Sequence, residues 1–211
     1  MASDKATFSR IYDHGVWSNG SGSGSHPKNT ESYRNFLQQF MREKEVSSVV
    51  DLGCGDWQSS RHIDWSGVSY LGVDLVESVI QANMQRYEST NVHFKGMEST
   101  EEGLSAADLL IVKDVLQHWP NSQVAALLPK LTQYRWALIT NTSATYQVAG
   151  SKKTLIDDEV NRDIAVGEVR PIDLAKPPFG WSVTEVFRHY SVRRQSDRVE
   201  LKTTVLHEIA K

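Results

Sequence analysis

Short apolar runs alternate along the chain with longer segments in which apolar residues recur every three or four positions. Such runs are typical of buried strands in a parallel sheet, and the longer spacing is typical of a helix with one buried face. The predicted strands are 49–51, 69–75, 91–96, 107–114 and 136–141. The predicted helices are 30–43 with Thr30 as N-cap, a short turn at 57–62, 76–87, and one capped by Asn121 or Ser122. Alternating strands and helices predict an α/β fold.

Residues 182–191 and 198–209 alternate between apolar and polar positions, which predicts two strands joined by a turn at 193–197. The polar, proline-containing segment 146–181 before them has no clear period. A long insert of this kind is usually a binding loop or is disordered. Because it leaves the carboxyl end of the fifth predicted strand, we interpret it as a substrate cap, with Arg170 as a candidate substrate contact.

The first 29 residues combine aromatic side chains with a glycine- and serine-rich run at 18–25. Such a composition favours a flexible linker. The run also lies between an aromatic segment and the first predicted core helix, so it could close as a lid with Tyr12 and Trp17 on a ligand. Both interpretations stay open. The expected organisation is one domain over 1–211, with a lid segment at 1–29, a core at 30–145, a cap at 146–181 and a hairpin at 182–211.

A nucleotide-binding turn is the strongest chemical signal in the chain. Two β-branched residues lead into Asp51, and glycines follow at Gly53 and Gly55. Glycine lets the chain turn sharply after a strand and lets its backbone approach a ligand. About 20 residues further on, Asp74 ends the next strand, where a carboxylate can accept both ribose hydroxyls. The third glycine of the dinucleotide fingerprint is missing, so a pyrophosphate site is poorly supported.

These motifs, Asp51-Leu52-Gly53-Cys54-Gly55 and Gly72-Val73-Asp74, resemble the first two motifs of class I S-adenosylmethionine-dependent methyltransferases. The resemblance covers about 46–142. It implies a Rossmann-like, doubly wound, mostly parallel sheet of seven strands whose last strand is reversed. It also implies S-adenosylmethionine as methyl donor and S-adenosylhomocysteine as product. The positions that then become candidate cofactor contacts are Asp51, Gly53, Gly55, Asp74, Leu75, Met97, Glu98 and Lys113.

Two of these contacts lie after the third predicted strand. The family usually places an acid or polar group there against the adenine amine, which makes Glu98 a candidate although the typical aspartate is absent. Met97 could instead pack against the adenine ring. Candidate catalytic residues follow the fourth strand in Lys113-Asp114-Val115-Leu116-Gln117-His118, which resembles the family's fourth motif. His118 has a pKa suited to a general base, Asp114 could orient it or the acceptor, and Trp119 borders the same site.

The composition and charge of the chain argue against several classes of function. The chain has 211 residues, a formal net charge of −3 and one cysteine, Cys54. No lysine- or arginine-rich block is present, so no nucleic-acid partner is expected. One cysteine excludes an internal disulfide and a multi-cysteine zinc site. The acids at 114, 157, 158 and 163 could in principle bind a metal, but acidic surface loops explain them equally well, so we expect no metal. A polar N-terminus and the lack of a long apolar run predict a soluble, cytoplasmic protein without membrane contact.

The predicted activity is methyl transfer to an oxygen or nitrogen of a small-molecule acceptor. In-line displacement at a sulfonium needs alignment of donor and nucleophile more than it needs catalytic groups. His118 is the candidate base. Two alternatives stay open: an NAD-dependent oxidoreductase, which would use the same turn and ribose acid, and a non-catalytic module that binds S-adenosylmethionine. The acceptor and the oligomeric state are not determined by the sequence.

Overall fold

The computed structural model describes residues 3–18, 20–98, 103–192 and 197–209. The helices are α1 (Asp4–Asp13), α2 (Pro27–Glu43), α3 (Glu77–Tyr87) and α4 (Asn121–Leu127). The strands are β1 (Ser48–Leu52), β2 (Ser69–Asp74), β3 (Val92–Gly96), β4 (Leu109–Lys113), β5 (Trp136–Ala149), β6 (Lys152–Ile156), β7 (Thr184–Val192) and β8 (Arg198–Glu208). Short 3₁₀ turns lie at Ser23–Ser25, Ser60–His62, Leu116–His118 and Leu128–Gln133.

The strands form one twisted, mixed sheet in the order β3-β2-β1-β4-β5-β8-β7, with β6 paired to β5. β1 to β5 pair in parallel, whereas β8 runs antiparallel to both β5 and β7. The doubly wound, mostly parallel sheet with a reversed last strand is therefore confirmed. The predicted count of seven strands is short by one among the described residues, because β6 adds an edge strand.

Alternate residues of the central strands fill two cores on opposite faces of the sheet. On β4, Leu110 and Val112 pack in the core that α1 and α4 cover, whereas Leu109 and Ile111 face the core that α2 covers. Strands buried on both faces carry continuous apolar runs, which is the pattern that the sequence shows at these positions.

Several predicted boundaries are wrong. Helix α2 begins at Pro27, and His26 caps it by accepting a hydrogen bond from the Lys28 N–H, so Thr30 lies buried inside the helix instead of capping it. Proline fits this first helical position because its missing N–H would have no partner there. Helix α4 begins at Asn121 after Pro120, and Asp163 from the insert accepts the Asn121 N–H at 2.8 Å.

Two regions expected to lack regular structure contain it. Helix α1 lies within the predicted lid, with Ser3 as its N-cap and Phe8 and Ile11 buried in the core. The predicted cap begins inside β5, which pairs with β6 as a hairpin. Because the residues here are mostly polar and half-exposed, the sequence shows no alternation that would predict this strand. Residues 193–196 of the predicted C-terminal turn lie outside the described residues. Within the described ranges, no helix is long and apolar enough to cross a membrane.

Candidate active site

A cavity of about 440 Å³ lies at the carboxyl ends of the parallel strands. Ligands of open α/β sheets bind at this edge, where connections leave the strands in opposite directions. The walls come from four sources: the loops after β1, β2, β3 and β4, the start of β8, Val169 of the insert, and the N-terminal segment, described over 8–18 and 20–25. Its size is within the range of small-molecule and cofactor sites.

The turn after β1 needs glycine at both predicted positions. Gly53 and Gly55 have φ of +73° and +56°, in the left-handed region that favours glycine. A Cβ on Gly53 would lie 2.4 Å from Val115, and one on Gly55 would lie 2.2 Å from the Ser21 hydroxyl oxygen. The turn is thus packed closely between the loop after β4 and the N-terminal segment, and both glycines line the cavity.

Asp74 lies at the end of β2 and lines the cavity beside that turn. Its two carboxylate oxygens each accept a backbone N–H at 3.0 Å, one from Gly55 and one from Val76. Burial raises its pKa, although these hydrogen bonds oppose the rise. Leu75 and Met97 line the cavity next to it and supply apolar surface. The carboxylate therefore lies where it can accept hydrogen bonds from a bound diol.

Two predicted cofactor contacts do not line the cavity. Asp51 is buried on the other side of the strand, where it accepts a hydrogen bond from the Tyr70 hydroxyl at 2.7 Å, and burial raises its pKa to about 6. The Glu98 side chain is 84% exposed and forms an ion pair with Lys5 at 3.0 Å. Their positions support a structural role for Asp51 and a surface role for Glu98.

Five charged side chains line one end of the cavity, and we call them the charged cluster. They are Lys113, Asp114, Arg198, Glu200 and Lys202. Asp114, with φ of +59°, binds Lys113 through one carboxylate oxygen and Lys202 through the other, at 2.6 Å for Lys202. Burial opposes ionisation of Asp114, but the two lysines outweigh it and hold its pKa well below the usual range.

Lys202 is 1% exposed, and its ammonium binds three partners: Asp114, the Thr142 hydroxyl at 2.7 Å and Glu200 at 3.0 Å. Burial disfavours its charge, but the two acids raise its pKa above the usual value. Sequence reasoning missed Glu200 and Lys202. The signal was present in β8, where the buried face carries Glu200, Lys202 and Thr204, while the apolar residues of the alternating pattern are only half-buried.

His118 lines the cavity beneath Trp17, with ring centroids 4.7 Å apart. Its Nδ1 lies 2.9 Å from the Glu168 carbonyl oxygen, so this nitrogen carries the proton and donates. The Gln117 amide contacts Nε2 at 3.3 Å, and its orientation is set because its oxygen accepts the Thr142 N–H. Burial lowers the His118 pKa to about 4. Both ring nitrogens are thus engaged within the protein, which argues against the predicted role as general base.

The N-terminal segment closes over the turn after β1. The Tyr12 and Ser21 hydroxyls lie 2.7 Å apart, and Ser21 also accepts the Asp56 N–H at 2.9 Å. Gly24 lies against the charged cluster, where its carbonyl accepts a hydrogen bond from Lys113 at 3.0 Å. Tyr12 and Trp17 both line the cavity. This geometry favours a lid over a flexible linker.

The insert after β6 contributes less to the cavity than expected. Arg170 is fully buried and donates to the Leu116 carbonyl at 2.6 Å and to Asn121 at 2.9 Å, so it braces the loop after β4 and does not line the cavity. Its neighbour Val169 does line it, and Trp119 forms a buried part of the same wall. Among the described residues, no group of three or more His, Cys, Asp or Glu side chains is arranged to hold a metal ion.

No family model matches the chain, and no curated protein matches it by sequence. Solved structures with the same fold include 1,6-didemethyltoxoflavin-N1-methyltransferase from Burkholderia thailandensis, with bound 1,6-didemethyltoxoflavin and S-adenosylhomocysteine. It is 17% identical, with a TM-score of 0.64 over 97% of this chain and 87% of that one. Magnesium protoporphyrin IX methyltransferase from Synechocystis PCC 6803, with bound S-adenosylmethionine, is 14% identical, with a TM-score of 0.60 over 97% and 98%.

A third match is the N-methyltransferase NodS from Bradyrhizobium japonicum WM9 in complex with S-adenosylhomocysteine. It is 11% identical, with a TM-score of 0.58 over 96% of this chain and 98% of that one. At such identities the likeness concerns the fold, and it extends over nearly the whole chain. The chain therefore has the fold of the class I S-adenosylmethionine-dependent methyltransferases, which the two sequence motifs indicated.

Proposed function

We propose that the protein binds S-adenosylmethionine in the cavity and transfers its methyl group to an oxygen or nitrogen of a small-molecule acceptor. The observation that carries the proposal is the position of Asp74. Its carboxylate lines the cavity at the end of β2, beside a turn whose two glycines leave no room for side chains. A carboxylate in this place accepts ribose hydroxyls in nucleotide-binding α/β folds.

The neighbouring residues fit the remaining parts of the donor. Leu75 and Met97 offer apolar surface beside Asp74, which suits an adenine ring. Lys113 lies across the turn with its ammonium pointing to Gly24, which suits the carboxylate of the methionine part. When bound, S-adenosylmethionine supplies an electrophilic methyl group on a positively charged sulfur.

The protein then contributes by aligning the acceptor with the methyl group and by surrounding both. Trp17 and Trp119 lie in the cavity wall with His118, and the N-terminal segment forms another part of that wall. Holding a nucleophile in line with the methyl group converts a bimolecular reaction into an effectively unimolecular one, which lowers the barrier without proton transfer to the leaving group. His118 shapes this wall, because its two ring nitrogens are engaged by Glu168 and Gln117.

A calorimetric titration with S-adenosylhomocysteine, with NAD as matched control, tests the donor site. We expect micromolar binding of S-adenosylhomocysteine and no heat with NAD. Binding of NAD alone would contradict the proposal and would favour hydride chemistry. Methyl incorporation from labelled S-adenosylmethionine into a small-molecule extract then separates an enzyme from a non-catalytic binding module, because a module binds the donor without transferring label.

A further inference from the structure

Two exposed valines lie at the opening of the cavity. Six large apolar side chains of the described residues are exposed, and Val16 and Val169 are the two of these that also line the cavity. Val16 is 66% exposed and Val169 is 38% exposed. A side chain that lines a cavity and still faces solvent to this extent lies where the cavity meets water. Folding therefore leaves apolar surface uncovered at this opening, and such surface often marks a binding site.

Backbone hydrogen bonds hold Val169 in this position. The Gly167 N–H donates to the His118 carbonyl at 2.9 Å, and the Arg170 N–H donates to the Gln117 carbonyl at 3.3 Å. Val169 lies between these two contacts, so its backbone is fixed on the loop after β4. The next side chain, that of Arg170, is fully buried. The exposure of Val169 is thus a fixed feature of the wall and does not reflect a loose loop.

Val16 belongs to the same part of the wall. Its N–H donates to the Ile11 carbonyl at 3.0 Å, and a Cβ on Gly167 would lie 2.9 Å from Ile11 Cδ1, so the insert and the N-terminal segment meet at this helix residue. Trp17, the next residue, packs on the His118 ring with centroids 4.7 Å apart. The two valines therefore approach the cavity from different segments and border one pair of rings.

The side chains around these valines carry no charge at neutral pH. We call this part of the wall the apolar rim, and it consists of Val16, Trp17, His118, Trp119 and Val169. Burial lowers the pKa of His118 to about 4, so its ring is neutral, and its two nitrogens are engaged by Glu168 and Gln117. The Glu168 carboxylate turns back to accept the Ala165 N–H at 3.0 Å and does not line the cavity. The rim offers a ligand two indole N–H groups and no charge.

The donor does not account for the apolar rim. Its adenine and ribose are assigned to Asp74, Leu75 and Met97, and its carboxylate to Lys113, none of which belongs to the rim. The rim is therefore left to the acceptor. A charged or hydroxyl-rich group placed against it would lose its water and gain few hydrogen bonds in return. An apolar group, in contrast, is attracted because it covers the two valines.

Resting on the proposed function, we propose that the acceptor is an apolar small molecule whose uncharged ring or chain packs between Val16 and Val169, while its nucleophilic oxygen or nitrogen points inward. Binding of this kind is driven by the removal of apolar surface from water on both partners. Ligand sites commonly have this composition, in which apolar contacts provide most of the surface and a few polar groups fix the orientation. The two valines then determine which acceptors bind, and they take no part in the bond changes.

Binding of a neutral apolar probe tests the rim without knowledge of the acceptor. N-phenyl-1-naphthylamine, whose fluorescence rises in apolar surroundings, is titrated into the full chain saturated with S-adenosylhomocysteine. We expect a saturable rise in fluorescence. Val169→Asp and Val16→Asp should each weaken probe binding about tenfold, because a carboxylate that faces an apolar ligand loses hydration. No saturable binding to the parent protein, or equal binding by both variants, would overturn the proposal.

Leu155→Asp is the matched control. Leu155 is also an exposed apolar residue, but it lies on β6 and does not line the cavity, so probe affinity should stay within about twofold. Equal weakening in the control would contradict a specific role of the rim. Affinity for S-adenosylhomocysteine, measured for every variant, shows that the fold and the donor site are intact. If Val169→Asp fails to fold, Val16→Asp decides alone, since Val16 is mostly exposed and tolerates the change.

The chemistry of the methylated product provides a second test. The full chain is incubated with S-adenosylmethionine labelled in the methyl group and with the small-molecule fraction of a cell extract, and products separated from the donor are partitioned between ethyl acetate and acidic, neutral or alkaline water. We expect the label to enter ethyl acetate under at least one of these conditions. Label that stays in water under all three would overturn the apolar acceptor and leave methyl transfer in place. A protein that binds S-adenosylhomocysteine but transfers no label would contradict the proposed function instead, and the probe titration still decides the role of the rim.

Discussion

At the scale of single residues, the polar groups of the cavity already have partners within the protein. Asp74 accepts two backbone N–H groups, and Asp114 holds two lysines. Buried polar groups cost free energy when they lack such partners, so these contacts fix the side chains before a ligand arrives. Preorganised groups of this kind lose little further freedom on binding.

Replacing Asp74 tests the donor site. Asp74→Asn keeps the shape but removes the charge and turns one acceptor atom into a donor, so it should weaken S-adenosylhomocysteine binding about tenfold to hundredfold, as charged hydrogen bonds contribute about 1.5 to 3 kcal/mol. Calorimetry measures the effect. Asp64→Asn, at an exposed position before β2 that does not line the cavity, is the control and should bind normally. Unchanged affinity in a folded Asp74→Asn variant would exclude Asp74 as a ligand-binding group.

Replacing His118 separates shaping of the wall from proton transfer. His118→Asn should lower turnover less than about tenfold and leave affinity for S-adenosylhomocysteine unchanged, because both ring nitrogens are engaged and the pKa is about 4. Loss of a general base typically costs a factor of about 100 to 10,000. The measurement is the initial rate of methyl incorporation at saturating donor. A loss in that larger range would restore His118 as the base.

At the scale of elements, the N-terminal segment is the part that completes the cavity. Helix α1 anchors it through Phe8 and Ile11, and the glycine- and serine-rich run lies on the turn after β1 and on β4. A run without apolar periodicity is held here by hydrogen bonds to backbone and charged groups. Elements held in this way open more easily than the core does.

Ser21 is the hydrogen-bonded contact between this segment and the turn. Ser21→Ala removes the bonds to the Tyr12 hydroxyl and the Asp56 N–H, so hydrogen exchange of residues 20–25 should become faster and S-adenosylhomocysteine should bind several-fold more weakly. Ser18→Ala is the matched control, since the Ser18 hydroxyl bonds to the neighbouring Trp17 carbonyl and, among the described residues, not to the turn after β1. Identical exchange in both variants would mean that Ser21 does not hold the segment.

At the scale of the whole molecule, stability depends on pH through buried histidines. His189 is 6% exposed on β7, and burial lowers its pKa to about 4, with Lys113 and Lys202 adding to the decrease and Asp114 opposing it. Between pH 4 and about 6.5 the unfolded chain binds a proton at this residue and the folded chain does not. Stability from this group is therefore full above pH 6.5 and is lost as the pH falls towards 4.

His189→Phe should flatten this dependence, because phenylalanine does not titrate. We expect the unfolding midpoint in urea to fall less between pH 7 and pH 4.5 in the variant than in the parent protein. The comparison is needed because buried Asp51, with a pKa of about 6, has the opposite effect in the same interval. Parallel curves for the two proteins would show that His189 is charged or exposed in the folded state.

The sequence by itself determined the parts that depend on local chemistry. The apolar runs of β1 and β4, the glycines at 53 and 55 and the acid at 74 specify a buried strand, a left-handed turn and a strand-end carboxylate whatever lies around them. The resemblance to a known family that these features carry implied the doubly wound sheet, and its binding edge followed because parallel strands place their carboxyl ends together.

Only the tertiary structure decided which side chains meet at that edge. Asp51 lies next to the glycines in sequence but turns away into the core, while Lys202, distant along the chain, reaches Asp114. Successive residues of a strand face opposite sides, so one position separates a buried structural acid from a cavity residue. Arg170 supports the loop after β4, and the Glu168 carbonyl accepts a hydrogen bond from His118. Both Arg170 and Glu168 belong to the insert, and no hydrophobic period in the sequence predicts the path of that insert.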